Sequence, residues 1–369
     1  MPRRRSSQKS NVDAGALPAE KLQQPFPQLH IPIKPPYPPM EAKLVDEIPS
    51  GKGWQYEPKW DGFRCLAFRD RNIVALQSKA GQPLGRYFPE IVGAIASLPF
   101  DKFVLDGEMV IPVGNHLSFD DLLMRIHPAA SRIGKLSAET PALFLAFDLL
   151  LDEQGPLISL PLQARRERLE EFFKRLKGNK SLRLSPFTTD YDEASGWISK
   201  AWAADMDGVI AKRIDQPYES GERAMRKVKR MRTVDCVVGG FRYASKGGQV
   251  GSLLLGLYND QGQLDHVGFS SSFSVEERKK LAEILKPYRN GEGFTGKAPG
   301  GPSRWSTERS GEWEKLEPKL VCEVRYDHFS GGRFRHGTKF LRWRPEKKPQ
   351  QCTMDQVERK GSINRLLAA

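Results

Sequence analysis

Residues 57–64 read EPKWDGFR, with Lys59 flanked by Glu57 two places before it and Asp61 two places after it. Arg64 follows the Asp61-Gly62 pair. One reading is a solvated lysine before a tight turn. The other is a lysine used as a nucleophile. A lysine amine attacks phosphorus only when neutral, and its ordinary pKa is ~10.4. Burial or cationic neighbours must lower that value. A strand end before an Asp-Gly turn fixes the direction of the side chain and brings Arg64 back beside it. Lys-x-Asp-Gly-x-Arg by itself is a moderately specific pattern, so the rest of the chain has to decide between the two.

The chain has 369 residues, 39% hydrophobic and 28% charged, which suits a soluble protein of two or three domains with real cores. Its 58 Lys and Arg against 45 Asp and Glu leave a net charge of +13. A polyanion is the natural partner, and nucleic acid is the commonest one. The four cysteines, Cys65, Cys236, Cys322 and Cys352, are far apart with no CxxC. That argues against a zinc ribbon or a disulfide framework and fits a reducing cytoplasm. No apolar run approaches the ~18 residues of a membrane span. The leader MPRRRSSQKS has no apolar segment and is no secretory signal; Arg3, Arg4 and Arg5 read as a solvated tail.

Residues 1–38 include PFPQLHIPIKPPYPPM, whose prolines forbid regular structure; the segment reads as a disordered tail or an extended strap. From 39 to 232, β-like runs alternate with turns and helical stretches. FRCLAFRD and NIVALQSK suggest a hairpin, and KFVLDGEMVI suggests two strands split by a tight Asp-Gly turn. PALFLAFDLLL reads as a buried strand, LPLQARRERLEEFFKRLK as a helix with a charged outer face, and DMDGVIAKRI as a strand after a turn. RAMRKVKRMR carries six basic residues in ten and leads into TVDCVVGGFRY. Residues 233–348 hold five or so short strands and one helix, SVEERKKLAEILKPY, a pattern that suits a small OB-type β-barrel. Residues 349–369 read as a loose tail. The fold class expected is α+β.

KWDGFR resembles the KxDGxR signature of the covalent nucleotidyltransferases, comprising DNA ligases, RNA ligases and mRNA capping enzymes. The other motifs of that superfamily follow in order. SKAGQPLGRYFPEI resembles the second motif through Ser78 and Gly81, with Lys79 where an arginine is usual, and so without its bidentate fork. LDGEMV resembles the third, whose Glu108 serves the ribose or a metal. FLAFDLLL resembles the motif whose aromatic, here Phe147, stacks on the purine. DGVIAKR resembles the fourth, with Asp207 replacing the usual metal-approaching glutamate and Lys212 matching the lysine. KVK resembles the fifth; Lys227 and Lys229 alternate on a strand and can face one phosphate. RWRPEK resembles the last, Arg-x-Asp-Lys, through Arg344 and Lys347, with Glu346 for the aspartate.

What the resemblance implies is as follows. The fold is an adenylation domain followed by an OB-fold domain. Lys59 takes AMP from ATP as a phosphoramidate, aided by Lys227 and Lys229. Glu57, Arg64, Glu108, Phe147, Lys212, Arg344 and Lys347 hold the nucleotide. Asp207 and Glu108 hold Mg²⁺, for which Mn²⁺ can substitute. Lys79 and Arg86 touch DNA. Glu57 can accept a hydrogen bond from the adenine amine and repels the guanine carbonyl, which favours ATP over GTP. YEPKWDGFR, RYFPE and HGTKFLRWRP are similar to the bacterial ATP-dependent DNA ligases of end-joining type, the ligase C group and the ligase part of ligase D. The implied substrate is nicked or broken duplex DNA, in repair or end joining, handled by a cytoplasmic monomer with a Ku-type end-binding partner. An RNA ligase, or an inactive nucleic-acid-binding homologue, stays open as the alternative.

Overall fold

The computed structural model describes residues 25–176, 178–199, 206–244, 248–300 and 312–357. Two compact units divide between Val228 and Lys229, four residues before the boundary read from composition.

In the first unit the chain lays down β1 (Ala42–Leu44), β2 (Trp54–Trp60), β3 (Phe63–Asp70) and β4 (Ile73–Ser78). Then come α1 (Pro89–Ala96), β5 (Lys102–Val110) and a small hairpin of β6 (Pro112–Val113) and β7 (His116–Leu117). Next are α2 (Phe119–Arg125), α3 (Ala130–Glu139), β8 (Leu143–Asp152) with its short partner β9 (Gly155–Pro156), and α4 (Leu162–Lys174). β10 (Leu182–Leu184), α5 (Tyr191–Ser199), β11 (Met206–Arg213) and β12 (Met225–Lys229) follow. The strands form two sheets, ordered β1-β12-β11-β2 and β10-β8-β5-β3-β4. The β1–β12 and β10–β8 pairs are parallel; β2–β11, β3–β4, β3–β5 and β5–β8 are antiparallel.

Alternation along each strand sorts the side chains. On β3, Cys65 and Ala67 join the core under the helices with Tyr87, Phe88, Ile91, Leu169 and Phe172. Leu66 and Phe68 point to the opposite face, where Leu29, Ile31, Ile33 and Met40 cover them. Of the two readings of the leader, a disordered tail or an extended strap, the segment from residue 25 is the strap. Its prolines keep it out of the ladders, but Leu29, Ile31 and Ile33 alternate like a strand. Burying each contributes ~1.5–3 kcal/mol. Gln77 ties the strap down, accepting the Tyr37 N–H at 2.8 Å and donating to the Tyr37 carbonyl at 2.7 Å.

Two turns read from the sequence are not turns. Asp106-Gly107 lies inside the continuous strand β5. A Cβ at Gly107 would sit 2.6 Å from Phe144 Cζ and 2.7 Å from the Leu145 carbonyl, so the glycine serves the close approach of β8. Asp61-Gly62 closes no hairpin, because β2 and β3 belong to different sheets. It carries the chain from one sheet to the other, and a Cβ at Gly62 would lie 2.2 Å from the Met109 carbonyl of β5.

The second unit contains β13 (Arg232–Tyr243), β14 (Val250–Tyr258), β15 (Leu264–Ser270), α6 (Val275–Leu285) and β16 (Glu314–Lys315). β17 (Val321–Tyr326), the β18 (Phe329–Ser330) and β19 (Arg333–Phe334) hairpin and β20 (Lys339–Trp343) complete it. Its sheet runs β15-β14-β13-β17-β20, with β16 beside β13, all antiparallel. Ser274 and Glu277 close a capping box at the start of α6. Three of the scattered cysteines meet here: Cys236 and Cys322 are cross-strand partners, and Cys352 joins their core. Burial pushes all three thiols up, as befits packing residues rather than nucleophiles. The segment read as a tail from 349 contributes Cys352 and Val357 to this core; residues 358–369 of that tail, and residues 1–24, lie outside the described residues.

Candidate active site

Strand β2 decides the site. Tyr56 and Trp60 turn into the core with Val209, Ala211 and Trp197. Gln55, Glu57 and Lys59 therefore share the other face. Opposite them on β11, the register steps from Met206↔Trp60 to Gly208↔Lys59, which leaves Asp207 as the extra residue of a β-bulge. A bulge re-aims its side chain, and the Asp207 carboxylate accepts a 2.9 Å hydrogen bond from Lys59 Nζ.

The second sheet supplies the rest by the same device. β5 and β8 pair Asp106↔Asp148 and Gly107↔Ala146, so Phe147 is the extra residue of a second bulge. Arg64 of β3 and Lys212 of β11 lie 4.5 Å and 4.6 Å from the centre of its ring. Glu108 is the register partner of Arg64. Glu57 is fully enclosed: Gln55 Nε2 donates to it at 2.7 Å, and Lys212 Nζ lies 2.7 Å from its other oxygen, outside hydrogen-bonding alignment. Asp106, 0% exposed, receives both arms of the Arg64 guanidinium at 2.5 and 2.6 Å.

The electrostatics correct one expectation. Burial pulls the Lys59 pKa down, but the Asp207 carboxylate, with smaller help from Asp61 and Glu108, outweighs it, and the net direction is up. Unliganded Lys59 is a locked cation. Glu108 goes the other way: burial, with Asp61 and Asp106 repelling it, outweighs Arg64 and Lys59 and pushes it up to about 8. Asp61, Asp207 and Glu108 set carboxyl oxygens around one lysine, a hard-oxygen group that fits a divalent cation such as Mg²⁺. Because folded Glu108 holds its proton to a higher pH than the unfolded chain, its ionisation destabilises the fold as pH rises from about 4 to about 8. In EDTA, Glu108→Gln should raise the melting temperature at pH 8 and give no gain at pH 4. An equal gain at both would show that charge is not the cause.

The remaining expected residues have partners of their own within each unit. Lys227 and Lys229 were expected to face one phosphate. Lys229 Nζ instead donates to Asp327 at 2.7 Å, and Asp327 also pairs with His336 Nδ1 at 3.0 Å. Lys79 pairs with Glu41 of the strap at 3.4 Å, and Arg86 donates to the Pro128 carbonyl at 2.8 Å. In the second unit, Arg344 and Lys347 both donate to Asp235, at 2.8 and 2.7 Å, and Arg344 also pairs with Glu346. Sequence reading missed Gln55, Asp106, Tyr218 and Asp235. Gln55 had a signal, since it alternates with Glu57 and Lys59. Asp106 was seen only as turn chemistry, and Tyr218 and Asp235 had none.

Among the described residues no helix is long and apolar enough to cross a membrane. The family model described as "ATP dependent DNA ligase domain" matches residues 39–229, and that described as "ATP dependent DNA ligase C terminal region" matches 246–347. DNA ligase C1 of Mycolicibacterium smegmatis is 45% identical over 342 residues, covering 89% of this chain and 96% of that protein. The multifunctional non-homologous end joining DNA repair protein LigD of Mycobacterium tuberculosis is 30% identical over 312 residues, 82% of this chain and 37% of that protein. A solved structure titled Pmar-Lig_PreS3 shares the fold with a TM-score of 0.55 at 20% identity, over 79% of this chain and 63% of that one. The matches favour a DNA ligase over the RNA ligase and inactive-homologue readings, and the chain belongs to the family of ATP-dependent DNA ligases.

Proposed function

We propose that Lys59 is the residue that carries AMP, and that the chain seals 5′-phosphate/3′-OH breaks in duplex DNA in three steps. The observation that carries this reading is the placement of Lys59 Nζ against Asp207, with Asp61 and Glu108 close enough to act on its charge and Arg64 set over the Phe147 ring. First, the Lys59 nitrogen attacks the α-phosphorus of ATP. The N–P bond forms, pyrophosphate leaves, and Asp207, already hydrogen-bonded to Nζ, is placed to take the proton. Second, AMP passes to the 5′-phosphate. Third, the 3′-OH displaces AMP and joins the strand. Each step is an in-line transfer in which the protein chiefly positions groups and balances charge.

Asp207 and Glu108 would hold Mg²⁺, or Mn²⁺ in its place, and the ion would neutralise phosphate charge when bound. Glu57, oriented by Gln55, accepts from the adenine amine. Phe147 offers its ring to the purine, and Arg64 and Lys212 flank it. Lys227 and Lys229 stabilise the phosphate once Lys229 leaves Asp327, and Arg344 and Lys347 take the pyrophosphate. Lys79 and Arg86 contact DNA, and the net charge of +13 favours its backbone. A bacterial cytoplasmic monomer acting in end joining with a Ku-type protein is the setting the reading favours.

The test is incubation with α-labelled ATP or GTP, followed by a denaturing gel and by sealing assays on nicked DNA and nicked RNA duplexes. ATP with Mg²⁺ should label the protein, GTP should not, and EDTA should abolish the label. Sealing should favour DNA and weaken as salt rises. No label on protein free of preloaded AMP, or equal label from GTP, would overturn the reading.

A further inference from the structure

Four groups, beginning with the Arg64 guanidinium that lies over the Phe147 ring, form a closed ring of hydrogen bonds. Arg64 donates to both oxygens of Asp106. The Tyr218 hydroxyl donates to Asp106 Oδ2 at 2.7 Å. The same hydroxyl accepts the Met40 N–H at 2.9 Å. The Met40 carbonyl, in turn, accepts from Arg64 Nη2 at 3.3 Å. The direction of the ring is forced. A backbone N–H can only donate, so Met40 takes a Tyr218 lone pair and leaves its one proton for Asp106. Asp106 and Tyr218 are 0% and 5% exposed, so no water substitutes for a missing member. Met40 is the last buried residue of the strap, and Tyr218 lies on the connection between β11 and β12.

We propose that Tyr218 and the Met40 peptide are positioning elements of the nucleotide site, fixing the Arg64 fork against the Phe147 ring. This rests on the reading above in which Arg64 and Phe147 hold the nucleotide. Asp106 could accept the guanidinium in several orientations. The Tyr218 hydroxyl on one of its oxygens, and the Met40 carbonyl on the guanidinium itself, leave one. The strap thereby joins the active site as well as covering the sheet. Arg165 lies 5.7 Å from the Tyr218 ring centre, so a phenylalanine keeps the packing and removes only the hydroxyl.

The experiment is single-turnover lysyl-adenylate formation over a range of ATP concentrations, with thermal melts in parallel. Tyr218→Phe should raise the half-saturating ATP concentration about tenfold and leave the maximal rate within about threefold. Ile91→Ala opens a cavity in the core under the helices, away from both the ring and the strap. It should lower the melting temperature at least as much and leave ATP half-saturation unchanged. Tyr218→Phe within about twofold of wild type in ATP dependence, or an equal shift in Ile91→Ala, would reduce Tyr218 to a packing residue. A wild-type protein that takes up no AMP would instead sink the adenylation reading beneath the proposal.

Discussion

Lys59→Ala should take up no AMP from labelled ATP and seal no nick, while folding as the wild type does. The side chain lies at the end of β2 on the face opposite the core residues Tyr56 and Trp60, so its removal opens no core cavity. It also removes the ammonium 2.9 Å from the Asp207 carboxylate, in a cluster rich in carboxylates. Deleting the nucleophile of a covalent enzyme costs on the order of 10⁶ in rate. The band on a denaturing gel should vanish. Lys59→Arg should fail as completely, because a guanidinium stays protonated and cannot attack phosphorus. Retained labelling in either variant would move the nucleophile elsewhere. Pre-adenylated nicked DNA provides the complementary measurement. Its last step needs no lysyl-AMP, so Lys59→Ala should recover part of its sealing there.

Asp148→Ala should be the most destabilising single change in the first unit. Asp148 and Arg165 form a bidentate pair at 2.9 and 3.0 Å, with side chains 1% and 0% exposed. Arg165 also donates to the Leu160 and Gln216 carbonyls. It thus pins α4 and the connection after β11 to β8. Removing the carboxylate leaves an uncompensated buried guanidinium, which costs about 3–5 kcal/mol. In a unit of this size that lowers the melting temperature by on the order of 10 °C. The neighbouring Phe147 should lose its fixed place, so ATP dependence should weaken with stability. Asp148→Leu combined with Arg165→Met removes both charges and should recover most of the loss, as apolar replacements of buried pairs often do. A single variant that melts within a degree of wild type would show that the pair is not what holds α4.

The chemistry of the site was legible because it is written in short local strings. Lys59, Glu57 and Arg64 sit within eight residues, and Glu108, Phe147, Asp207 and Lys212 each lie in a recognisable run of β-formers. Period-2 alternation alone places Gln55, Glu57 and Lys59 on one face. The α+β class and the change of character after the basic run also follow from pattern and composition. What pattern could not supply is pairing between distant segments. Asp106-Gly107 looks like a turn in any sequence, and only the approach of Phe144 and Leu145 makes it a strand interior. The two bulges that aim Asp207 and Phe147 are mismatches of register between strands, invisible to either strand by itself. The proline-rich leader became ordered because the face bearing Leu66 and Phe68 had no helix to cover it. The protonation of Lys59 was likewise a tertiary matter. The nucleophile reading required a lowered pKa, but Asp207, brought in from 148 residues away, set the sign the other way. Local sequence determined which residue types stand at which strand positions; long-range pairing decided where each points and what charge it carries, because a side chain's direction and electrostatic field belong to its neighbours in space.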